Sequence, residues 1–367
     1  MAEPAAPRLR LDVEKRIGEI HLDVRLDAGT EALVLFGPSG AGKTTILNTI
    51  AGLVRPDAGV IEFDGAAFFR RNRPGPRVDL PARRRGVGYV MQDYALFPHM
   101  TVLENVMFPL RGAPDREARA LALLERVSVA HLAHERPGSL SGGQQQRVVI
   151  ARALAANGGL LLLDEPFAAL DGPIRERLQA DLRTLQRELR LVMILVTHRL
   201  EDAFALGDRI AVLRAGRLEQ VGPIEDVVRR PATRGVAEIM GIRNLLRARV
   251  VQDGDGLALD WAGTRLEAPI PDTVRPGSEV TAYIQPENVK IVYPDRPLGP
   301  AVAHNVLDGA IVAARHGAGT RILTVRLENG YEIEVRFPVL SYSALRLEPG
   351  AAVRLALRRD GLVVLDL

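Results

Sequence analysis

A glycine-rich stretch near the N-terminus has the residue types and spacing of a phosphate-binding loop. It fits the pattern G-x-x-x-x-G-K-T, in which glycines let several backbone N–H groups point at one anion. Lys43 can reach the β- and γ-phosphates of a nucleotide, and the Thr44 hydroxyl can ligate Mg²⁺. The alternative is a glycine-rich turn without a ligand. The stretch consists of Gly37, Pro38, Ser39, Gly40, Ala41, Gly42, Lys43, Thr44 and Thr45.

Two carboxylates, Asp164 and Glu165, directly follow the apolar run 160–163. Such continuous apolar runs are typical of parallel strands that are covered on both faces, and ligands of these sheets bind beyond the carboxyl ends of the strands. We therefore predict that Asp164 holds the Mg²⁺ that Thr44 also binds, and that Glu165 polarises the attacking water. The alternative is a strand that ends in two solvated acids.

Two further polar features lie at positions where ligands commonly bind: one follows a predicted strand, and the other begins a predicted helix. His198 follows a second apolar run, 191–197, and is a candidate contact for the γ-phosphate. A serine and two glycines begin the helix predicted over 145–155, and their exposed N–H groups predict a second anion site. The alternative is a simple serine cap, although two glycines in a first turn are unfavourable unless something approaches closely. This stretch is Leu140, Ser141, Gly142, Gly143 and Gln144.

The surrounding pattern predicts an α/β domain that positions these groups. Alternating segments at 9–13 and 19–26 predict half-buried strands, and the apolar run 32–36 predicts the strand before the phosphate loop. The segment at about 93–137 is mostly helical, and Thr101 with Glu104 predicts a helix cap inside it. For the arginine-rich segment 68–85, a solvated connection is favoured over an anion-binding patch.

The pattern changes beyond about residue 231, where short alternating strands and glycine turns predict an all-β region. Segment 244–251 aligns with 305–312, which indicates two copies of a small barrel-like unit. We therefore predict a P-loop α/β domain at 1–232, with a mostly parallel sheet and a helical insert. A small OB-like tandem domain at 233–367 follows it.

Composition excludes several classes of function. The 367 residues include no Cys, so thiol chemistry, disulfides and thiolate metal sites are absent, and the net charge is only +3. No apolar stretch approaches the roughly 20 residues that span a bilayer, and residues 1–7 lack the apolar core of a signal peptide. From residue 233 onward, 16 basic residues balance 16 acidic ones, which argues against a nucleic-acid partner.

Taken in order, these motifs resemble those of the ATP-binding subunits of ABC transporters, and the resemblance extends from about residue 9 to the C-terminus. The specific string is LSGGQ followed by QQRVVIARAL. The other matching motifs are the Walker A loop at 37–45, a Q-loop at Gln92, Walker B at 160–164 with Glu165, the D-loop 169–171 and the switch residue His198.

The resemblance implies a mechanism and a set of partners. Two copies would pack head to tail and clamp ATP between Walker A of one copy and Ser141, Gly142, Gly143 and Gln144 of the other. Glu165 would be the general base, and His198 would contact the γ-phosphate. Gln92 would sense Mg²⁺ and water and would couple to the helical insert, which docks on a membrane permease. Asp171 of the D-loop would also lie at the nucleotide.

This sequence departs from the family in one place. An aromatic residue usually precedes Walker A and stacks on adenine, but segment 14–18 contains none. Arg16 or Ile17 would take that place.

The tail resembles those of bacterial importer subunits for molybdate, sulfate, iron and sugars. The N-terminal strand without aromatics and the strings 170–173 and 243–248 are most similar to molybdate importers, whose tail can bind the oxyanion. The match to the oxyanion-binding loops is partial, because Ala303, His304 and Asn305 stand where Ser and Arg are more usual. Import of molybdate is therefore expected, and sulfate, ferric iron or a sugar is the alternative.

The same resemblance predicts a peripheral protein on the cytoplasmic face of the inner membrane that is indirectly served by a solute-binding protein. A soluble ABC ATPase acting on ribosomes or nucleic acid is a competing hypothesis, but that class tends to have two cassettes or a long coiled-coil insert. An exporter subunit is a third, and it would usually lack the β-rich tail.

Overall fold

The computed structural model describes residues 7–156, 158–254, 256–293, 304–317, 319–342 and 345–365. Residues 1–6 of the N-terminal segment without a signal-peptide pattern lie outside these residues. Ala303 of the partial oxyanion motif lies outside them as well. Contacts divide the chain into two compact units, Met1–Val227 and Val228–Leu367. The division falls slightly before the boundary predicted at residue 232.

One mixed sheet organises the N-terminal unit. Its strands are β1 (Leu9–Ile17), β2 (Ile20–Ala28), β3 (Ala32–Phe36), β4 (Ala58–Phe63), β5 (Ala66–Arg71), β6 (Val78–Asp79), β7 (Gly88–Val90), β8 (Leu160–Asp164), β9 (Val192–Val196), β10 (Arg209–Arg214) and β11 (Arg217–Pro223). Within the described residues they lie in the order β6-β5-β4-β1-β2-β11-β10-β3-β9-β8-β7.

Half of this sheet is parallel, whereas the sequence predicted a mostly parallel sheet. Strands β10, β3, β9, β8 and β7 run in the same direction, and every residue of β3, β8 and β9 is buried. Their carboxyl ends therefore meet at one edge of the sheet. The other half is antiparallel and is built from the pairing of β1 with β2 and with β4.

Eight helices of 6 to 17 residues follow strands along the described chain. They are α1 (Lys43–Ala51), α2 (Val102–Met107), α3 (Arg116–Arg126), α4 (Gly142–Ala155), α5 (Gly172–Glu188), α6 (Leu200–Leu206), α7 (Ile224–Arg229) and α8 (Arg234–Ile239). The predicted cap at the start of α2 is confirmed: the Thr101 hydroxyl accepts from the Glu104 N–H, and the Glu104 carboxylate accepts from the Thr101 N–H.

The arginine-rich segment 68–85 is only in part the solvated connection that the sequence predicts, since none of residues 72–84 is buried but both ends of the segment are. Part of it forms β5 and β6, and Phe68 and Phe69 are buried. The Arg85 guanidinium is also buried, and its Nη1 donates to the carbonyl oxygens of Thr49 and Ile50 at 2.8 Å each. The last carbonyl groups of a helix have no hydrogen-bond partner inside the helix. Arg85 supplies that partner from outside α1, at the C-terminal end of the helix.

The C-terminal unit is all-β and consists of two five-stranded sheets within the described residues. Its strands are β12 (Asn244–Asp253), β13 (Gly256–Trp261), β14 (Thr264–Leu266), β15 (Glu279–Ile284), β16 (Val289–Ile291), β17 (Val306–His316), β18 (Thr320–Leu327), β19 (Glu332–Pro338), β20 (Ala352–Leu357) and β21 (Leu362–Leu365). The orders β14-β13-β12-β15-β21 and β19-β18-β17-β20-β16 match each other strand for strand.

The two copies exchange their last strands. Strand β16 follows β15 in the chain but pairs with β20 of the second sheet, whereas β21 follows β20 but pairs with β15 of the first. The first residue of each aligned segment, Asn244 or Asn305, is buried. Asn244 exchanges two 2.7 Å hydrogen bonds with the backbone of Glu334 in the other copy. Asn305 makes the same pair of bonds to the backbone of Glu267, at 2.7 and 2.8 Å.

Candidate nucleotide site

The phosphate loop joins β3 to α1 at the edge where the parallel strands end. Gly42 precedes α1 with φ of 102°, a left-handed conformation that glycine adopts without strain. At Gly37 the carbonyl oxygen of Leu213 in β10 comes so close that a Cβ atom would lie 2.1 Å from it. At these two positions the loop needs glycine for different reasons, one conformational and one steric.

The Lys43 ammonium folds back over this loop. Its Nζ donates to the carbonyl oxygens of Gly37 and Pro38 at 2.8 and 2.9 Å, and only 7% of the residue is exposed. Burial lowers the pKa of Lys43, and the nearby carboxylates of Glu165 and Asp164 oppose that shift. The loop therefore holds a partly desolvated positive charge that can meet an anion.

Two of the three predicted magnesium-binding residues, Thr44 and Asp164, are in contact. Thr44 Oγ1 donates to Asp164 Oδ1 at 3.2 Å. Asp164 is 5% exposed, and its burial raises the pKa of its carboxyl group; the nearby charge of Glu165 acts in the same direction, while the hydrogen bond from Thr44 opposes it. A buried carboxylate beside a hydroxyl forms an oxygen-rich site of the kind that Mg²⁺ prefers.

Glu165 and His198 are hydrogen-bonded to each other. His198 Nδ1 lies 3.1 Å from Glu165 Oε2, and the histidine side chain is 59% exposed. Glu165 has φ of +46°, which is uncommon for a residue with a Cβ atom. Its N–H donates to the carbonyl oxygen of Val196 at 3.0 Å, so the turn after β8 is tied to the end of β9.

An open cavity of about 280 Å³ lies between the phosphate loop, Glu165 and the β1–β2 hairpin. The hairpin residues on its wall are Lys15, Ile17, Ile20 and Leu22, and the remaining lining residues are Ser39, Gly40, Gly42, Lys43, Thr44, Thr45 and Glu165. Arg16 is not among them. Sequence reasoning missed Ile20 and Leu22, although apolar residues on both sides of a tight turn are an available signal.

Comparisons with known proteins agree with this arrangement. Residues 21–168 match the family described as ABC transporter, and residues 282–365 match the TOBE domain. The chain is 38% identical to the spermidine/putrescine import ATP-binding protein PotA of Nitratidesulfovibrio vulgaris, over 86% of this chain and 87% of that protein. The chain belongs to the ATP-binding subunits of ABC importers. It is an ATPase of that family, with a C-terminal TOBE domain.

Other relatives and solved structures are similar. The molybdate/tungstate import ATP-binding protein WtpC of Thermococcus kodakarensis is 40% identical over 78% of this chain and 83% of that protein. The dimeric structure of the bacterial ABC transporter cassette MJ0796 matches with a TM-score of 0.51 and 34% identity, over 59% of this chain and 98% of that one. The same cassette is also known in a post-hydrolysis state bound to ADP and Pi.

The ABC signature begins α4, where Ser141 is the N-cap. Its hydroxyl accepts from the Gln144 N–H at 3.4 Å, and Gln144 Oε1 accepts from the Ser141 N–H at 2.9 Å. The serine cap that was the alternative interpretation is therefore present, in the form of a capping box. The capping box does not use the N–H groups of Gly142 and Gly143, which lie in the first turn of the helix.

One signature glycine has a structural neighbour that the sequence did not reveal. A Cβ atom at Gly143 would lie 2.8 Å from Ile174 Cγ2 at the start of α5, whereas the space at Gly142 is open apart from the Tyr94 hydroxyl at 3.9 Å. Packing within the chain thus gives one reason for glycine at 143.

The Q-loop and D-loop residues lie at exposed positions. Gln92 follows β7 at the same sheet edge as Asp164, because β7 pairs in parallel with β8, but it does not line the cavity. Asp171 is the N-cap residue of α5, and its side chain makes no capping hydrogen bond. The structure thus brings Lys43, Thr44, Glu165 and their neighbours together and leaves Gln92, Asp171 and Arg16 outside the cavity wall.

Proposed function

We propose that this chain hydrolyses ATP to power the import of a small solute through a separate membrane permease. The observation that carries the proposal is the contact between Thr44 and Asp164, with Lys43 on one side and the Glu165–His198 pair on the other. These groups match the parts that phosphoryl transfer needs: a cation for the phosphates, a magnesium site and a base for water.

The residues of the site fit Mg²⁺. Thr44 and Asp164 would hold it, and Gln92 would reach it or its water from the end of β7. Among the described residues, no group of three or more His, Cys, Asp and Glu side chains could hold a metal ion. We therefore infer that phosphate oxygens complete the coordination, so metal and nucleotide bind together. When bound, Mg²⁺ supplies charge neutralisation at the transferring phosphoryl group.

Glu165 is the proposed general base. Its carboxylate lines the cavity and accepts the His198 hydrogen bond when Nδ1 carries the proton, so the imidazole holds it in one orientation. In the proposed homodimer, Ser141, Gly142, Gly143 and Gln144 of the partner would contact the γ-phosphate, and Asp171 would lie at the contact between the copies. The likeness to a dimeric cassette supports this assembly.

The proposed permease would dock on the segment 93–137 that contains α2 and α3, and this would place the chain on the cytoplasmic face of the membrane. None of the described helices is both long and apolar enough to cross a bilayer. Co-purification with a membrane permease supports this proposal, whereas co-purification with ribosomes or nucleic acid supports the competing soluble class.

Two classes of solute, oxyanions and polyamines, are the leading candidates for the cargo, beside the ferric iron and sugar alternatives. Strings in the D-loop and the tail favour molybdate or a similar oxyanion, and the likeness to WtpC supports it. The likeness to PotA favours a polyamine. Thermal unfolding of the full chain with molybdate, tungstate, sulfate, spermidine or putrescine tests whether the TOBE domain binds either. A ligand at 100 times its Kd stabilises by about 2.7 kcal/mol if it binds the folded state only.

The hydrolysis proposal is tested with Glu165→Gln. This variant keeps the shape of the side chain but removes the base, so ATP should bind normally while hydrolysis falls by about 10²- to 10⁴-fold. Glu176→Gln on the exposed face of α5 is the matched control and should hydrolyse ATP at the rate of the unaltered chain. Hydrolysis near the normal rate in Glu165→Gln would show that Glu165 is not the general base.

A further inference from the structure

A buried polar cluster lies behind the exposed switch histidine. The His198 side chain contacts Glu165 but is otherwise largely open to solvent. Surrounding side chains therefore do little to fix its direction, and the backbone that carries it must do so. That backbone is the short link between the end of β9 at Val196 and the start of α6 at Leu200.

Thr197 ties this link on both sides of the histidine. The residue is 2% exposed, and its hydroxyl donates to Asp202 Oδ2 at 3.0 Å. The same oxygen accepts from the Arg199 N–H at 3.1 Å. One hydroxyl thus binds the peptide after His198, which closes a tight turn, and anchors that turn to α6.

Asp202 is a buried carboxylate that the hydrolysis mechanism does not use. It is 3% exposed, and its second oxygen, Oδ1, accepts from Gln179 Nε2 at 2.9 Å. Arg199 Nε lies 3.9 Å from Asp202 Oδ1, which is beyond hydrogen-bond distance. Burying a carboxylate without a close cation is unfavourable unless its hydrogen bonds are satisfied, so the geometry of these bonds is strongly constrained.

Gln179 links this cluster to α5. It is buried on the helix that begins directly after Asp171, and it binds the carboxylate oxygen of Asp202 that Thr197 does not. The chain Gln179–Asp202–Thr197 therefore connects the helix after the D-loop to the turn that carries His198.

We propose that Thr197, Asp202 and Gln179 are positioning residues that hold His198 in its contact with Glu165. This inference rests on the proposed role of His198 in hydrolysis. None of these three residues lines the cavity, so the cluster should act on turnover and leave nucleotide binding unchanged.

The test compares Thr197→Val with Thr197→Ser in the full chain. Valine keeps the shape but removes the hydroxyl, and serine keeps the hydroxyl. Thr197→Val should lower kcat by about 10- to 100-fold, because small misplacements of catalytic groups cost rates of that order. The KM for ATP should stay within about 2-fold of normal, and Thr197→Ser should restore most of the rate.

A double-mutant cycle shows whether Thr197 acts through His198. With His198→Ala as background, the rate is already low, and adding Thr197→Val should change it by less than about 2-fold. A full additional loss in that background would mean that Thr197 supports the fold generally and would overturn the inference. Normal turnover in Thr197→Val, with slow turnover in His198→Ala, would also overturn it but would leave the proposed function intact.

Two buried glutamines on α5 provide a matched pair for protein stability. Gln179→Leu should reduce kcat, whereas Gln186→Leu, which removes a 3.0 Å hydrogen bond to the Leu191 carbonyl, should not. Thermal unfolding of both variants separates loss of fold from loss of turnover. Equal kcat in the two variants would contradict the positioning role. Normal hydrolysis in His198→Ala itself would refute the proposed role of that histidine and this inference together.

Discussion

Neighbouring residues of a strand point to opposite faces, and this decides which side chains of the β1–β2 hairpin reach the nucleotide cavity. Lys15 and Ile17 line it, whereas Arg16 between them does not. The wall that would meet a nucleobase is therefore largely aliphatic, and Ile17 remains 43% exposed beside the phosphate loop. Of the two residues that the sequence offered in place of an aromatic, Ile17 lines the cavity and Arg16 does not.

Substitutions at these two neighbours should therefore differ. Ile17→Ser should raise the Kd for ATP by about 3- to 10-fold, because part of the transfer energy of a branched aliphatic side chain is lost. Arg16→Ser should leave Kd within about 2-fold, as surface substitutions usually do. Isothermal titration calorimetry on the full chain measures both. An equal rise in the Kd for ATP in both variants would show that Arg16 also contacts the nucleotide.

At the scale of elements, the signature helix α4 and the helix α5 are packed closely at Gly143. A Cβ atom there would overlap Ile174 Cγ2, and because the Ile174 side chain is 41% exposed and can shift, Gly143→Ala should lower the free energy of unfolding by no more than about 1 kcal/mol. Adding Ile174→Ala removes the overlap and should restore most of that stability. Urea unfolding of the single and double variants checks this.

The same pair of variants separates packing from ligand approach. If ATP of a partner subunit approaches Gly143, the double variant should fold well yet hydrolyse ATP more slowly than Ile174→Ala alone. Equal rates in these two variants would show that glycine at 143 serves packing only.

The N-terminal strand β1 is joined to the turn after β4 by an ion pair. Arg8 Nη2 lies 2.7 Å from Asp64 Oδ2, and the hydrogen bond from Arg8 lowers the pKa of the Asp64 carboxyl below 3.8. A group whose pKa is lower in the folded state stabilises the fold above its unfolded pKa and loses that contribution as the pH falls through the folded value.

The pH dependence of this pair follows from that sign. Asp64→Asn should destabilise the protein modestly at pH 7, because the pair is partly exposed. The difference from the unaltered chain should shrink as the pH falls below 3.8 and disappear below the folded-state pKa. Urea midpoints across this range measure it. A difference that stays constant at low pH would contradict the assignment.

At the scale of the whole molecule, the two copies of the repeat in the C-terminal unit are joined by hydrogen bonds and strands that they exchange. Asn244 and Asn305 each hold the backbone of a glutamate in the other copy, and each copy gives its last strand to the other sheet. Neither copy has a complete sheet without the other. The two copies should therefore fold as one cooperative unit.

The equivalent asparagines should have equivalent effects on stability. Asn244→Asp and Asn305→Asp place a carboxylate oxygen against a carbonyl oxygen, and each should cost about 2 kcal/mol or more of unfolding free energy. Gln252→Glu, which changes an exposed amide in the same way, should have little effect. Chemical unfolding measures all three. A cost confined to one asparagine would show that the copies are not equivalent.

The sequence by itself determined the local chemistry and the type of each domain. The phosphate loop, the apolar strand before Asp164 and the N-cap at Ser141 depend on residues close in the chain, and such patterns can be interpreted directly. The contact between Thr44 and Asp164 was predictable, because carboxyl ends of parallel strands meet at one edge.

Tertiary structure decided what depends on contacts between distant segments. The burial of Arg85 and the approach of Ile174 to Gly143 have no local signal. The same is true of the cluster around Asp202 and the exchange of β16 and β21. Each follows from packing and hydrogen-bond satisfaction between elements that are far apart in the chain, and only the assembled fold brings those elements together.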